Sequence, residues 1–125
     1  MKNQVMLDAT IESFVVRETK DGGSFCTMRL VFPRMWNKTM KKSKISAVIW
    51  PPASTKAIEE LKNGVHLTIY GKIEERSWLD KEGNWHNPHQ IYFEEWDLLQ
   101  HDPFDDVPAG KDEQREPGSD DEPAF

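Results

Sequence analysis

The eleven residues RMWNKTMKKSK (Arg34–Lys44) carry five basic side chains, one tryptophan and no acid. That pairing is suited to recognition, because a cation attracts phosphate and an indole face stacks on a nucleobase. Two further tryptophans keep comparable company. Trp50 closes the run ISAVI, and Trp78 lies two residues beyond Arg76. Stacking on an exposed ring is worth about 1–3 kcal/mol per base and tolerates any sequence. The residues alone permit two readings. In one, Trp36, Trp50 and Trp78 are stacking platforms, while Arg34, Lys38, Lys41, Lys42 and Lys44 of the basic run contact phosphates together with Lys72 and Arg76. In the other, the run is a solvated basic loop and the rings pack inward, as large aromatics usually do. Five tryptophans in the first 100 residues are more than one small core readily encloses.

The last residues, GSDDEPAF, pose a different problem. Phe125 follows Asp120, Asp121, Glu122, Pro123 and Ala124, and so much charge keeps the phenyl ring from reaching a core. Such a peptide suits a partner with a small apolar pocket rimmed by Arg or Lys. Its setting is strongly acidic. Residues 1–100 hold 14 basic and 13 acidic side chains, a net of +1, whereas residues 101–125 hold 2 and 9, a net of −7. The overall charge of −6 therefore describes the tail. Rich in Pro, Gly and Asp, residues 101–125 cannot bury enough apolar surface to offset their ordering entropy, and they are expected to be disordered.

The elements that must position the aromatic and basic residues can be read from periodicity. Val5, Leu7, Ala9 and Ile11 alternate as in a half-buried strand. Lys20–Gly23 supply an Asp-Gly turn. Between Phe25 and Phe32, Cys26, Met28, Leu30 and Phe32 share one face while Phe25, Thr27, Arg29 and Val31 share the other. A third run sets Ile45, Ala47 and Ile49 against Trp50, with Arg34–Lys44 before it as a loop or protruding hairpin. Ala53–Gly64 changes to helical spacing, with Ser54 or Thr55 as capping candidate and Asn63-Gly64 as a left-handed stop. The strand pattern resumes from Val65 to about Trp78, turns at Asp80–Gly83 and returns through Ile91–Leu99. Five strands with one short helix between the third and fourth predict an all-β, OB-fold-like barrel over residues 1–100. The pattern also admits another small barrel or a sandwich.

Cys26 is the sole cysteine, which excludes an internal disulfide and fits a reducing compartment. The N-terminal stretch lacks an apolar signal-peptide core, and no run is long enough to span a membrane, so a cytoplasmic protein is expected. No catalytic constellation, metal site or cofactor is expected. His86 and His89 have ligand-like spacing but no completing Cys or carboxylate. Glu74-Glu75 and Glu94-Glu95 are adjacent pairs, and neighbours on a strand point to opposite faces. Cys26 reads as core, while Trp85 and Trp96 suit core, subunit contact or stacking equally.

These segments, taken in order, resemble the bacterial-type single-stranded DNA-binding protein family. NQVMLDATI is similar to its opening strand, and GGSFCTMRLVFPRMW to its second strand, with Trp36 where the family stacks a base. AVIWPPASTKAIEELKNGVHLTIYGKIEERSWLDKEGNW is similar to its third strand, helix and fourth-strand hairpin. Trp50 falls at the family's principal stacking aromatic and Trp78 at another. SDDEPAF resembles the acidic tip, which usually closes with Pro-Phe. The chain departs from the pattern at Lys44, which stands near a further stacking aromatic, and at Pro51-Pro52, where small and basic residues are common. Ala9 replaces a frequent glycine, and Ala124 separates Pro123 from Phe125.

The resemblance implies an OB-fold protein that coats single-stranded DNA without base specificity in replication, recombination and repair. It also implies recruitment of replication and repair proteins through Asp120–Phe125, and assembly as a dimer or tetramer. The short linker points to a phage- or plasmid-encoded member. A primosome-type or RNA-binding OB module is the rival reading, and a non-nucleic-acid scaffold a more distant one.

Overall fold

The computed structural model describes residues 1–86 and 88–106, with the side chain of Asp106 excepted. Five long strands close a barrel: β1 (Val5–Glu18), β2 (Ser24–Trp36), β3 (Thr39–Ile49), β4 (His66–Glu75) and β7 (His89–Leu98), in the order β1-β2-β3-β7-β4. All pairs are antiparallel except β3 with β7. A short helix, α1 (Ala53–Glu60), joins β3 to β4. Two short strands, β5 (Trp78–Leu79) and β6 (Trp85–His86), form a separate hairpin between β4 and β7. The predicted five-stranded barrel with one helix is the fold observed.

Closure depends on β1 serving two neighbours. Val5–Thr10 pairs with β4 and Thr10–Glu18 with β2, the register shifting between Ile11 and Ser13. A residue left unpaired at such a bulge bends the strand and increases its twist. The bend is held from outside the ladder, for Ile11 N–H donates to the Val65 carbonyl (2.9 Å) and Gly64 N–H to the Ile11 carbonyl (2.7 Å). The Asn63 side chain accepts from Phe14 N–H (2.8 Å).

The alternation of β2 and β3 fills the interior as read from the sequence: Cys26, Met28, Leu30, Ala47 and Ile49 are buried with Ile11, Leu67, Ile69, Ile91 and Phe93. Burying each of the larger side chains contributes about 1.5–3 kcal/mol. Burial also pushes the Cys26 thiol pKa above its usual value, in keeping with a packing role. α1 adds Ala57 and Leu61 to this core. Trp96 lies edge-on to Phe93 (centroids 6.0 Å apart) and its indole N–H donates to Glu60 of α1 (3.1 Å), which assigns it to the core.

Three expectations need correction. Neither Ser54 nor Thr55 caps α1. The N-cap is Pro52, whose φ of −86° already suits a helix entry, and there is no side-chain cap. Ser54 is instead buried, its hydroxyl donating to the Ser24 carbonyl (2.6 Å) and tying helix to barrel. Asn63-Gly64 does not end the helix, because Leu61 turns extended (φ −111°, ψ 145°) to reach the core. Gly64, at φ +90°, makes the following turn into β4. Finally, the fourth strand ends at Glu75 rather than near Trp78, and Ile73, though paired with Ile91 in the β4–β7 ladder, is exposed.

Gly71 sits where β4 shifts register against β7. A Cβ there would run into the Tyr92 carbonyl and lie 2.8 Å from Phe93 Cβ, both fixed by the ladder. Gly71→Ala is expected to destabilise the barrel by about 1–3 kcal/mol, read from the denaturant midpoint. An unchanged midpoint would show that β7 can yield at this point.

The segment assigned to the tail begins in contact with the barrel. Pro103 is buried in a 3-10 turn, Pro103–Asp106, and the Phe104 ring lies under Lys42 Nζ, 5.9 Å from its centroid. Residues 107–125, including the expected docking tip, lie outside the described residues.

Candidate nucleic-acid interface

The basic run is neither loop nor coil. It forms a protruding two-stranded ribbon in which β2 and β3 stay paired to their ends, Trp36 facing Thr39. The turn uses Asn37 (φ 52°) and Lys38 (φ 67°), and two positive φ angles in succession match the right-handed twist of a hairpin. Directly opposed residues share a face. Val31 opposes Lys44 and Pro33 opposes Lys42, whereas Arg34 opposes Lys41 on the alternate positions. The ribbon thus divides its cations between two faces. Lys44 forms an ion pair with Glu12 (2.8 Å), and Arg34 Nε donates to Ser43 Oγ (2.7 Å).

Below the ribbon, the outward faces of β1, β2 and β3 shape a groove of about 520 Å³. Trp50 lines it, immediately after β3, a residue 39% exposed whose ring is stacked on Phe25 (centroids 4.6 Å apart, planes at 25°). Arg76 enters from the segment after β4. Its backbone N–H donates to the Pro88 carbonyl (2.9 Å), which fixes the root of the β5–β6 hairpin at the groove's rim. Arg17 of β1 and Arg29 of β2 complete a set of three guanidinium groups, and among the described residues no carboxylate lines the groove. The walls are Val15, Thr27 and Val48, with Gln90 of β7 at one side.

Trp78 stands apart on the hairpin, 42% exposed and stacked on His86 (4.3 Å, 14°). His86 is held by Asp80 (2.8 Å), and that hydrogen bond, with the Asn84 backbone, draws the Asp80 carboxyl below its ordinary pKa. His86 therefore serves the hairpin. Among the described residues no group of three or more His, Cys, Asp or Glu could hold a metal ion. Trp85 opposes Leu79 on the hairpin and is exposed.

Of the residues singled out from sequence, Trp50 and Arg76 converge in the groove. Arg34, Trp36, Lys38, Lys41, Lys42 and Lys44 are carried on the ribbon, and Trp78 on the hairpin. Lys72 lies elsewhere. It lines a second depression of about 790 Å³ with Met6, Tyr70, Tyr92, Glu94 and Glu95, where acids outnumber it. Both tyrosines there bond to carboxylates, Tyr70 to Asp97 and Tyr92 to Glu94, which raises their phenol pKa values.

Sequence reasoning missed Phe25, Arg17 and Arg29 as groove residues. The strand alternation had already set Phe25 and Arg29 opposite the core face. What it lacked was the register that brings Thr27 against Val48 and Arg29 against Ser46, beside Trp50.

The model of the Single-strand binding protein family matches residues 2–99, which is the barrel with its ribbon and hairpin. No curated protein matches the chain.

Proposed function

The chain belongs to the Single-strand binding protein family, and on that premise we propose that it coats single-stranded DNA without base specificity during replication, recombination and repair. The observation that carries the reading is the groove in which an exposed tryptophan and three arginines converge, with no opposing acid among the described residues. A single strand supplies what that groove lacks, namely an unpaired base for the ring and phosphates for the guanidinium groups. Trp36 and Trp78, on projections beyond the barrel, extend the stacking path, and the ribbon's cations follow the backbone. Lys72 contributes least, given the acids around it.

In this reading the protein works in the cytoplasm as a dimer or tetramer, and it recruits replication and repair proteins through Asp120–Phe125. Among the described residues no helix is long and apolar enough to cross a membrane. The decisive experiment is an oligo-dT titration followed by tryptophan fluorescence, with mass measured on the same sample. Quenching that saturates supports the reading. Preference for duplex, forked DNA or RNA over oligo-dT would replace it with the rival one.

If the ribbon tracks phosphates, log affinity for a long oligo-dT falls linearly with log salt, by about 0.7 per phosphate contacted. Neutralising Lys41 and Lys42 to glutamine is expected to flatten that slope. An unchanged slope would turn the ribbon away from the DNA.

A further inference from the structure

We propose that Arg17, Arg29 and Arg76 form a guanidinium clamp for the phosphates on either side of one nucleotide seated on the open face of Trp50. The inference rests on the reading above that the groove takes single-stranded DNA. Phe25 covers one face of the indole at 4.6 Å, so only the other is available to a base. The seat accepts one base at a time.

The cations best placed to serve that seat are the arginines. They reach the groove from three separate segments, β1, β2 and the chain after β4. Arg17 Nε donates to Thr27 Oγ1 (3.0 Å), which spends one of its five N–H donors on orientation and leaves the terminal pair for a ligand. The side chains of Arg29 and Arg76 make no hydrogen bond or ion pair among the described residues. Ribbon lysines are already engaged, Lys44 with Glu12 and Lys42 over Phe104, and Lys41 has a partner as well. Three positive charges lining one groove, with no carboxylate among its described lining residues, repel each other and are relieved by an anion. A planar fork matches two phosphate oxygens at once, whereas a lysine offers a point charge.

The clamp predicts a division of labour by length of DNA. A short strand of about five nucleotides fills little more than one site of this kind and engages the groove, while a longer strand also reaches the ribbon. The test uses the full chain and such a short oligo-dT, with affinity measured across a salt series. Arg17→Gln and Arg29→Gln are each expected to reduce the log–log slope by about 0.7. Lys62→Gln, beyond α1 and away from the groove, is expected to leave it unchanged. Arg29→Lys, which keeps the charge and protects the fold, is expected to keep the slope but bind more weakly, because the fork is gone. Wild-type slopes in both glutamine variants, with circular dichroism unchanged, would overturn the clamp. Full affinity in Arg29→Lys would overturn it too, reducing the arginine to a diffuse charge. If the unaltered protein fails to bind oligo-dT at any length, the functional reading falls and the clamp falls with it.

Discussion

Trp50→Ala is expected to lower affinity for oligo-dT by about 1–3 kcal/mol, roughly 5- to 150-fold, while the protein stays folded. The two halves of that result have separate physical grounds. The loss comes from removing a π-face that water stacks on poorly and a base stacks on well. The retained fold follows from position, because Trp50 lies outside the cluster formed by Leu30, Ile49, Leu67 and Phe93 and is 39% exposed. Among the described residues its aromatic partner is Phe25. Truncation frees the Phe25 ring, which can take over part of the stacking, so the measured loss belongs toward the lower end unless Phe25 is removed as well. Binding curves and circular dichroism on the same preparation check both halves. An unfolded variant would make the indole structural, and a folded variant with full affinity would move the principal platform elsewhere.

Trp50 was legible because an outward tryptophan after an alternating apolar run has no core to enter. The barrel was legible for the same reason, since period-2 alternation in β1, β2 and β3 fixes which side chains go inside. The residues that escaped the sequence did so because single strands carry no information about which outward faces meet. Arg17 and Arg29 became neighbours of Trp50 only through the registers of β1 with β2 and β2 with β3. Trp96 escaped for a related reason: its neighbours Glu60 and Phe93 come from α1 and from its own strand, and a lone tryptophan in EEWDLL looks the same whether buried or exposed. The capping expectation failed through a tertiary override. Ser54 has the chemistry of a cap, but it lies inside the helix, one residue past its start, where its buried hydroxyl donates to the Ser24 carbonyl and points the side chain toward the barrel. Lys72 was chosen for its charge alone, and charge without surroundings does not distinguish a phosphate contact from a cation among glutamates.

Removing Asp120–Phe125 is expected to abolish binding to replication and repair partners while leaving barrel stability and the DNA site intact. Among the described residues the core cluster runs from Ala9 to Trp96 and closes around the five barrel strands and the helix, and an acidic segment with few aliphatic side chains has little to add to it. The tip's chemistry suits docking: Asp120, Asp121 and Glu122 offer charge to an Arg- or Lys-rimmed pocket, and Phe125 offers an apolar anchor. A buried aromatic anchor commonly carries most of a small interface, so Phe125→Ala alone is expected to approach the effect of the deletion. DNA affinity should stay equal or rise slightly in both. Residues 101–125 carry a net charge of −7, and their described start packs Phe104 under Lys42 of the basic ribbon. An acidic segment tethered to this surface is expected to compete weakly with phosphate, and the competition should fade as salt screens it. Calorimetric titration with host replication proteins, comparing the intact, truncated and Phe125→Ala chains, measures the first effect, and oligo-dT binding at low and high salt measures the second. Equal partner binding by all three chains would reduce the tip to a solubilising appendage. A large loss of DNA affinity on truncation would count more heavily against this reading, because it would make an acidic peptide part of the surface that holds a polyanion.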